Sequence, residues 1–191
     1  MNKLLDLAFA IKIATKDWHP ADHISFASNH TGKQPFTDFT TITNPSNPSE
    51  TYESRLWPDH CIQNTKGAEL IPELDVQKVD KVVEKGQVRE VEMYSAFYDP
   101  LENPRGSDSG LAGVLKEKGV TDVFVVGLAF DYCVKCTAVD AAKERFKTVV
   151  VAEGTRMVDA GKWDEVTEEL KAKGVAVVSV DGDEVAKVRN A

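Results

Sequence analysis

The stretch VVGLAFDYCVKCTAVDAA, Val125 to Ala142, decides how the chain reads. Its first half is apolar, β-branched and short, the composition of a strand buried on both faces. From Tyr132 onward, Val134, Ala138, Ala141, Ala142 and Arg145 recur at helical spacing, which predicts a helix over 132–146. A strand feeding directly into a helix is half of a βαβ unit, and parallel sheets bind ligands beyond the carboxyl ends of their strands. Cys133 falls at that junction, with Cys136 one helical turn further on.

Three readings of the cysteine pair compete with simple core filling, the ordinary fate of a cysteine. A thioredoxin-like redox pair has sound physics, because the free amides of a first helical turn lower a thiol's pKa. That fold sets a cis-proline later in the chain than its pair, yet all eight prolines here precede Cys133. A structural zinc site wants four ligands, and only Cys61 remains to help. The third reading is a nucleophile at Cys133 with Cys136 packed beside it. Position favours it.

Outward from this unit, further apolar runs at 10–14, 81–83, 148–152 and 175–180 read as buried strands. Ser109 can cap a helix over 109–118 that stops at Gly119, and a second amphipathic helix over 162–173 stops at Gly174. This alternation predicts an α/β domain with a parallel sheet and covering helices. The segment 20–58, rich in Pro, Ser, Thr and Asn, reads as a long structured loop, and loops of that length in compact domains usually carry function.

The 191 residues suit one domain, and 42% hydrophobic with 28% charged residues is a globular balance. A net charge of −8 without a basic stripe argues against nucleic acid as partner. No apolar run approaches the roughly 18 residues that span a bilayer. The apolar opening is interrupted by Asp6 and Lys12 and lacks a small-residue cleavage site, so it reads as folded protein and not as a signal peptide. Three sparse cysteines suit a reducing compartment, and a cytoplasmic location is expected, with the nucleus as a further one.

In TKDWHP, Asp17 and His19 are alternate residues, which point to one side of an extended segment. WPDHC adds His60. Two histidines and a carboxylate leave coordination positions open, as catalytic zinc, iron or manganese sites do. Asp59, His23 and His30 compete for the role, with a solvated or loop-bonding place favoured for His23 and His30, and a turn carboxylate the bland reading of Asp17.

TKDWHPADHISFASNH, LWPDHCIQNTKGAEL, EKGQVREVEMYSAF and VVGLAFDYCVKCTAVDAA together resemble the nicotinamidases of the isochorismatase-like cysteine hydrolase family, especially the eukaryotic type. The resemblance implies a Rossmann-like parallel sheet with helices on both faces. It also implies roles: Cys133 as nucleophile, Lys85 as active-site lysine, Asp17, His19 and His60 as ligands of a divalent metal, most simply Zn²⁺. The amides of Ala129 and Cys133 would form an oxyanion hole beside a cis Leu128–Ala129 bond, and Trp57, Tyr94 and Tyr132 would surround the substrate ring. The implied activity is hydrolysis of nicotinamide to nicotinate and ammonia in NAD salvage, through a thioester. On residues alone, Lys85 is an ordinary surface lysine and the aromatics are ordinary core.

The family's first strand, central in its sheet and bearing an aspartate that shuttles protons, has no counterpart in this sequence. The expectation is therefore one domain over 1–191, N-terminally truncated relative to the family, with impaired activity in this form. Alternatives are a non-catalytic metal- and pyridine-binding homologue, a hydrolase of another small amide, and a redox protein. A small-molecule partner is expected, with self-association conceivable.

Overall fold

The computed structural model describes residues 1–190. Its strands are β1 (Ile13–Asp17), β2 (Phe39–Asn44), β3 (Asn47–Arg55), β4 (Lys81–Lys85), β5 (Asp122–Leu128), β6 (Lys147–Arg156) and β7 (Ala176–Val178). The helices are α1 (Asn2–Leu5), α2 (Leu111–Glu117), α3 (Lys135–Lys143), α4 (Trp163–Ala172) and α5 (Asp183–Arg189). Among the described residues no helix is long and apolar enough to cross a membrane.

Strands β5, β6 and β7 form one parallel ladder in that order, and β1 pairs with β4 in a second. This is the α/β class read from the sequence, but the single sheet expected there is divided: no described strand hydrogen-bonds to both parallel ladders. What bridges them is side-chain packing. Val83 of β4, Leu111 and Leu115 of α2, Ala141 of α3, Phe97 and Phe146 share one core, with Ile13 of β1 and Val123 of β5 against it. Each fully buried leucine or phenylalanine there contributes roughly 1.5–3 kcal/mol. A second core joins α3 and α4 to β5 and β6 through Val134, Ala138, Leu170, Val125 and Val150.

Register sets the site. In the β1·β4 pair, Asp17 lies opposite Lys85 at the carboxyl ends of both strands. Strand β5 delivers the chain to the cis Leu128–Ala129 bond, then to a single π-helical turn over Phe130–Val134 that runs into α3.

Three helix ends share one closure. After α2 and α4, Gly119 and Gly174 adopt left-handed φ of 67° and 79°, and Val120 and Val175 donate back to Leu115 and Leu170 carbonyls. These are the stops read from the sequence, and the motif favours glycine because a left-handed residue with a Cβ is strained. Helix α3 closes in the same manner with Arg145 at φ 71°, while Phe146 N–H donates to the Ala141 carbonyl. The helix read through 146 therefore stops at Lys143: Arg145 terminates it, and no glycine announces the stop. The start of α2 also differs, at Leu111 after Gly110, although the Ser109 hydroxyl accepts from Leu111 N–H at 3.2 Å.

The segment 20–58 is not all loop. β2 and β3 form an antiparallel hairpin, turning at Asn44–Asn47, where the Asn44 side-chain oxygen accepts from Ser46 N–H. Its inward positions mix Ile42 with Asn44 and Ser54, so the apolar alternation that marks a half-buried strand is diluted by polar residues.

Candidate active site

Beyond β1 the chain continues beside residues 61–63. His19 N–H donates to the Cys61 carbonyl at 3.0 Å and Gln63 N–H to the His19 carbonyl at 2.8 Å, a single parallel bridge that carries His60 alongside Asp17 and His19. One ligand atom from each of Asp17, His19 and His60 lies within 4.8 Å of the others. The three sequence candidates are thus brought together.

The hydrogen bonds around them fit a divalent cation. His19 Nδ1 lies 2.8 Å from the Gly86 carbonyl and His60 Nδ1 lies 2.8 Å from the Pro58 carbonyl. A carbonyl only accepts, so each imidazole donates through Nδ1, and in its neutral form each keeps an Nε2 lone pair for a metal. His60 Nε2 faces Asp17 Oδ2 at 4.0 Å. Burial pulls the His19 pKa down despite the opposing charges of Glu92 and Asp17, which keeps its ring neutral and ligand-ready. Gly86 has φ +69°, and a Cβ there would stand 2.3 Å from His19 Cε1, so glycine is the residue that permits this approach.

Asp17 faces two ways. Its Oδ1 lies 2.5 Å from Lys85 Nζ, in an ion pair whose lysine is only 4% exposed. Burial raises the Asp17 carboxyl, but the charges of Lys85 and His19 outweigh it and hold the pKa below the usual value. Lys85 also donates to the Met93 carbonyl at 3.2 Å and to Cys133 Sγ at 3.4 Å. Burial works against its charge, yet Cys133 and Asp17 raise its pKa overall, so it stays protonated. For Cys133 the balance is opposite: burial pushes the thiol up to about 12, with Lys85 pulling it down only in part.

Cys136 packs one turn along α3, and burial pushes its thiol up to about 11. Both are free thiols, as is Cys61. The Ala129 carbonyl accepts from the amides of Tyr132 and Val134, which fixes the turn that carries Ala129 and Cys133.

Three rings meet nearby. Trp57 stands edge-on to Tyr132 at 4.7 Å and to Tyr94 at 6.4 Å between centroids, and Tyr94 is 5.4 Å from Tyr132. Trp57 Nε1 donates to the Tyr94 hydroxyl at 2.8 Å, and Ser54 Oγ lies 3.2 Å from the same oxygen. Trp57 is placed by reciprocal backbone bonds with the 25–27 segment, and the segment after Tyr94 is tied to α3 by Ala96 N–H to Thr137 Oγ1 at 2.9 Å.

His23 takes the loop-bonding alternative of the sequence reading, and does so inside the protein. It is fully buried and not solvated, bonded to Ser25 Oγ and the Val91 carbonyl, with its ring 4.3 Å from His19. His30 also takes the loop-bonding place, against the Ile24 carbonyl at 2.6 Å, and Asp59 accepts from Ser28 at an exposed position. Glu92 had no role in the sequence reading, yet it is a carboxylate only 3% exposed whose charge acts on His19, Lys85 and Cys133. Nothing in a one-dimensional pattern marks it, since REVEMY alternates like a surface strand.

Comparison with known proteins is consistent with this geometry. The Isochorismatase domain matches residues 26–182. The nicotinamidase of Acinetobacter baylyi is 42% identical over 176 residues, 92% of this chain and 77% of that protein. The yeast nicotinamidase solved with the inhibitor nicotinaldehyde superposes with a TM-score of 0.81 at 36% identity, over 90% of this chain and 80% of that one. The pyrazinamidase of Pyrococcus horikoshii solved in complex with zinc gives 0.63 at 30% identity, over 88% and 75%.

Proposed function

The chain belongs to the isochorismatase-domain family, and from that premise we propose that it hydrolyses nicotinamide to nicotinate and ammonia, as a cysteine amidase of NAD salvage. The observation that carries this reading is the line Cys133–Lys85–Asp17: a thiol 3.4 Å from an enclosed ammonium, which pairs with a carboxylate of the metal-ligand set.

In this reading Trp57, Tyr94 and Tyr132 hold the pyridine ring, and Asp17, His19 and His60 hold a divalent metal, Zn²⁺ by likeness to the pyrazinamidase relative. A metal held there by these three side chains would supply a Lewis acid for the ring nitrogen. Cys133 Sγ attacks the amide carbon, forming a C–S bond as the carbonyl pair moves onto oxygen, where the Ala129 and Cys133 amides receive it. Lys85 supplies the counter-charge that the thiol needs as it gives up its proton. That proton leaves with the amine: the C–N bond breaks, ammonia departs and a thioester remains. Water then cleaves the C–S bond, releasing nicotinate and restoring the thiol.

Ammonia release from nicotinamide tests the proposal, compared between the parent chain and Cys133→Ala, with and without a chelator. Release that depends on both the thiol and the metal is expected. Equal release from both forms would refute the assignment of Cys133.

A further inference from the structure

Two phenylalanines sit where a globular protein does not usually leave them. Phe36 is 48% exposed and Phe39 46%, while Phe26, Phe97 and Phe130 are buried to 1% or less. Phe36 also has φ +68°, a region strained for any residue with a Cβ. Such strain persists only where neighbouring bonds impose it. Here Phe36 N–H donates to the Leu56 carbonyl at 2.8 Å, Leu56 N–H returns to the Asp38 carbonyl at 2.9 Å, and Asp38 Oδ2 accepts from Gln34 N–H at 2.8 Å. The turn is thereby fastened to the residue before Trp57.

The fastening has a geometric result. The Phe36 ring stands edge-on to Trp57, 5.8 Å between centroids at 88°. Phe39 lies 5.5 Å from the Arg55 guanidinium, which in turn lies 5.9 Å from the Tyr132 ring. Arg55 Nε is buried and has no hydrogen-bond partner, and the Phe39 and Tyr132 rings flank the guanidinium. Phe36 and Phe39 therefore brace two walls of the aromatic site, while the third wall, Tyr94, has its hydroxyl engaged by Trp57 and Ser54.

We infer that the Phe36–Phe39 turn is the rim of the ring site and that Phe36 determines specificity by excluding aromatic amides with bulky ring substituents. This rests on the proposed function, because it takes Trp57 and Tyr132 as ring walls. A hydrophobic pocket discriminates by what it cannot accommodate, and a misfit of even one methylene shifts relative binding by roughly 10–200-fold.

The test uses Phe36→Gly, which deletes the ring and also suits the left-handed φ, so the variant is expected to fold with no loss of Tm. Two ratios are measured in parent and variant: kcat/KM for 5-phenylnicotinamide over nicotinamide, and equilibrium affinity for 5-phenylnicotinate over nicotinate, acids that are not turned over. A rise of at least about tenfold in the affinity ratio is expected, with the kcat/KM ratio moving with it. A smaller change in the affinity ratio overturns the rim assignment and leaves the proposed function standing. Ring acids that bind without any ammonia release would refute the amidase while the affinity ratio still decides the rim. Failure of the parent to bind nicotinate overturns both.

Discussion

Asp17 and Lys85 stand at the carboxyl ends of regular strands, with Lys85 almost completely enclosed and Cys133 in the turn that follows β5, whereas the Trp57, Tyr94 and Phe36 rings come from bridges and loops and are uncharged. The charged half depends on register. A one-residue slip between β1 and β4 would turn Asp17 and Lys85 to opposite faces, and one buried ion would lose its partner. The aromatic half depends on edges and hydroxyl bonds that tolerate small displacements. Substitutions in the charged half should therefore cost activity by orders of magnitude, and those in the aromatic half should change selectivity.

The sharpest break is Cys133→Ala, expected to lower nicotinamide kcat by roughly 10⁴-fold or more, since loss of a nucleophile removes the covalent route. Lys85→Met comes next. Loss of the counter-charge should cost roughly 10²–10³-fold in kcat, on the scale of removing one preorganised electrostatic donor, and a lower Tm should accompany it as Asp17 is left without its ion pair. Gly86→Ala tests whether the metal half depends on main-chain approach. A Cβ against His19 should weaken zinc binding by about 10–100-fold, as loss of the hydrogen bond that orients a ligating imidazole does, measured by competition with a chromophoric chelator.

The pH dependence is smaller and separates the thiols from ordinary cysteines. Burial pushes Cys133 up to about 12 and Cys136 up to about 11, so both are protonated at neutral pH in the folded chain. Iodoacetamide labelling should rise about tenfold per pH unit from 7 to 10 and stay below that of the chain in urea. The unfolded thiols lose their protons near 8.5, so above that pH the unfolded state binds fewer protons and stability falls as pH rises toward 11. Least affected is Cys136→Ala, expected to stay within about threefold of the parent in kcat, because a packed neighbour contributes shape and not chemistry. A large loss there would return the pair to a redox reading.

Much of the charged half was legible in the sequence for one reason: strand ends are marked by where apolar runs stop. Asp17 and Cys133 each lie a few residues beyond such a stop, whereas the role of Lys85 was legible only through the family resemblance, and Gly119 and Gly174 mark helix ends through a conformation that only glycine takes without strain. Arg145 breaks that code by occupying the same conformation with a side chain, and the helix read through 146 overran it. The hairpin β2–β3 was read as loop because Asn44 and Ser54 fill inward positions and break the alternation. Phe36, Arg55 and Glu92 left no signal. Their roles arise from contacts made over tens of residues in sequence, and period-based reading sees only neighbours.

Both imidazoles of the proposed metal-ligand set lean on main-chain oxygens, those of Gly86 and Pro58. No exchange of side chain can delete a peptide carbonyl, so the tautomers of His19 and His60 are insulated from most point substitutions. What can unseat them is a change in the path of the chain at those two turns. Damage to cation affinity in this protein should accordingly concentrate where backbone trajectory is altered, by insertion, deletion or loss of a glycine, and be sparse among the neighbouring side chains.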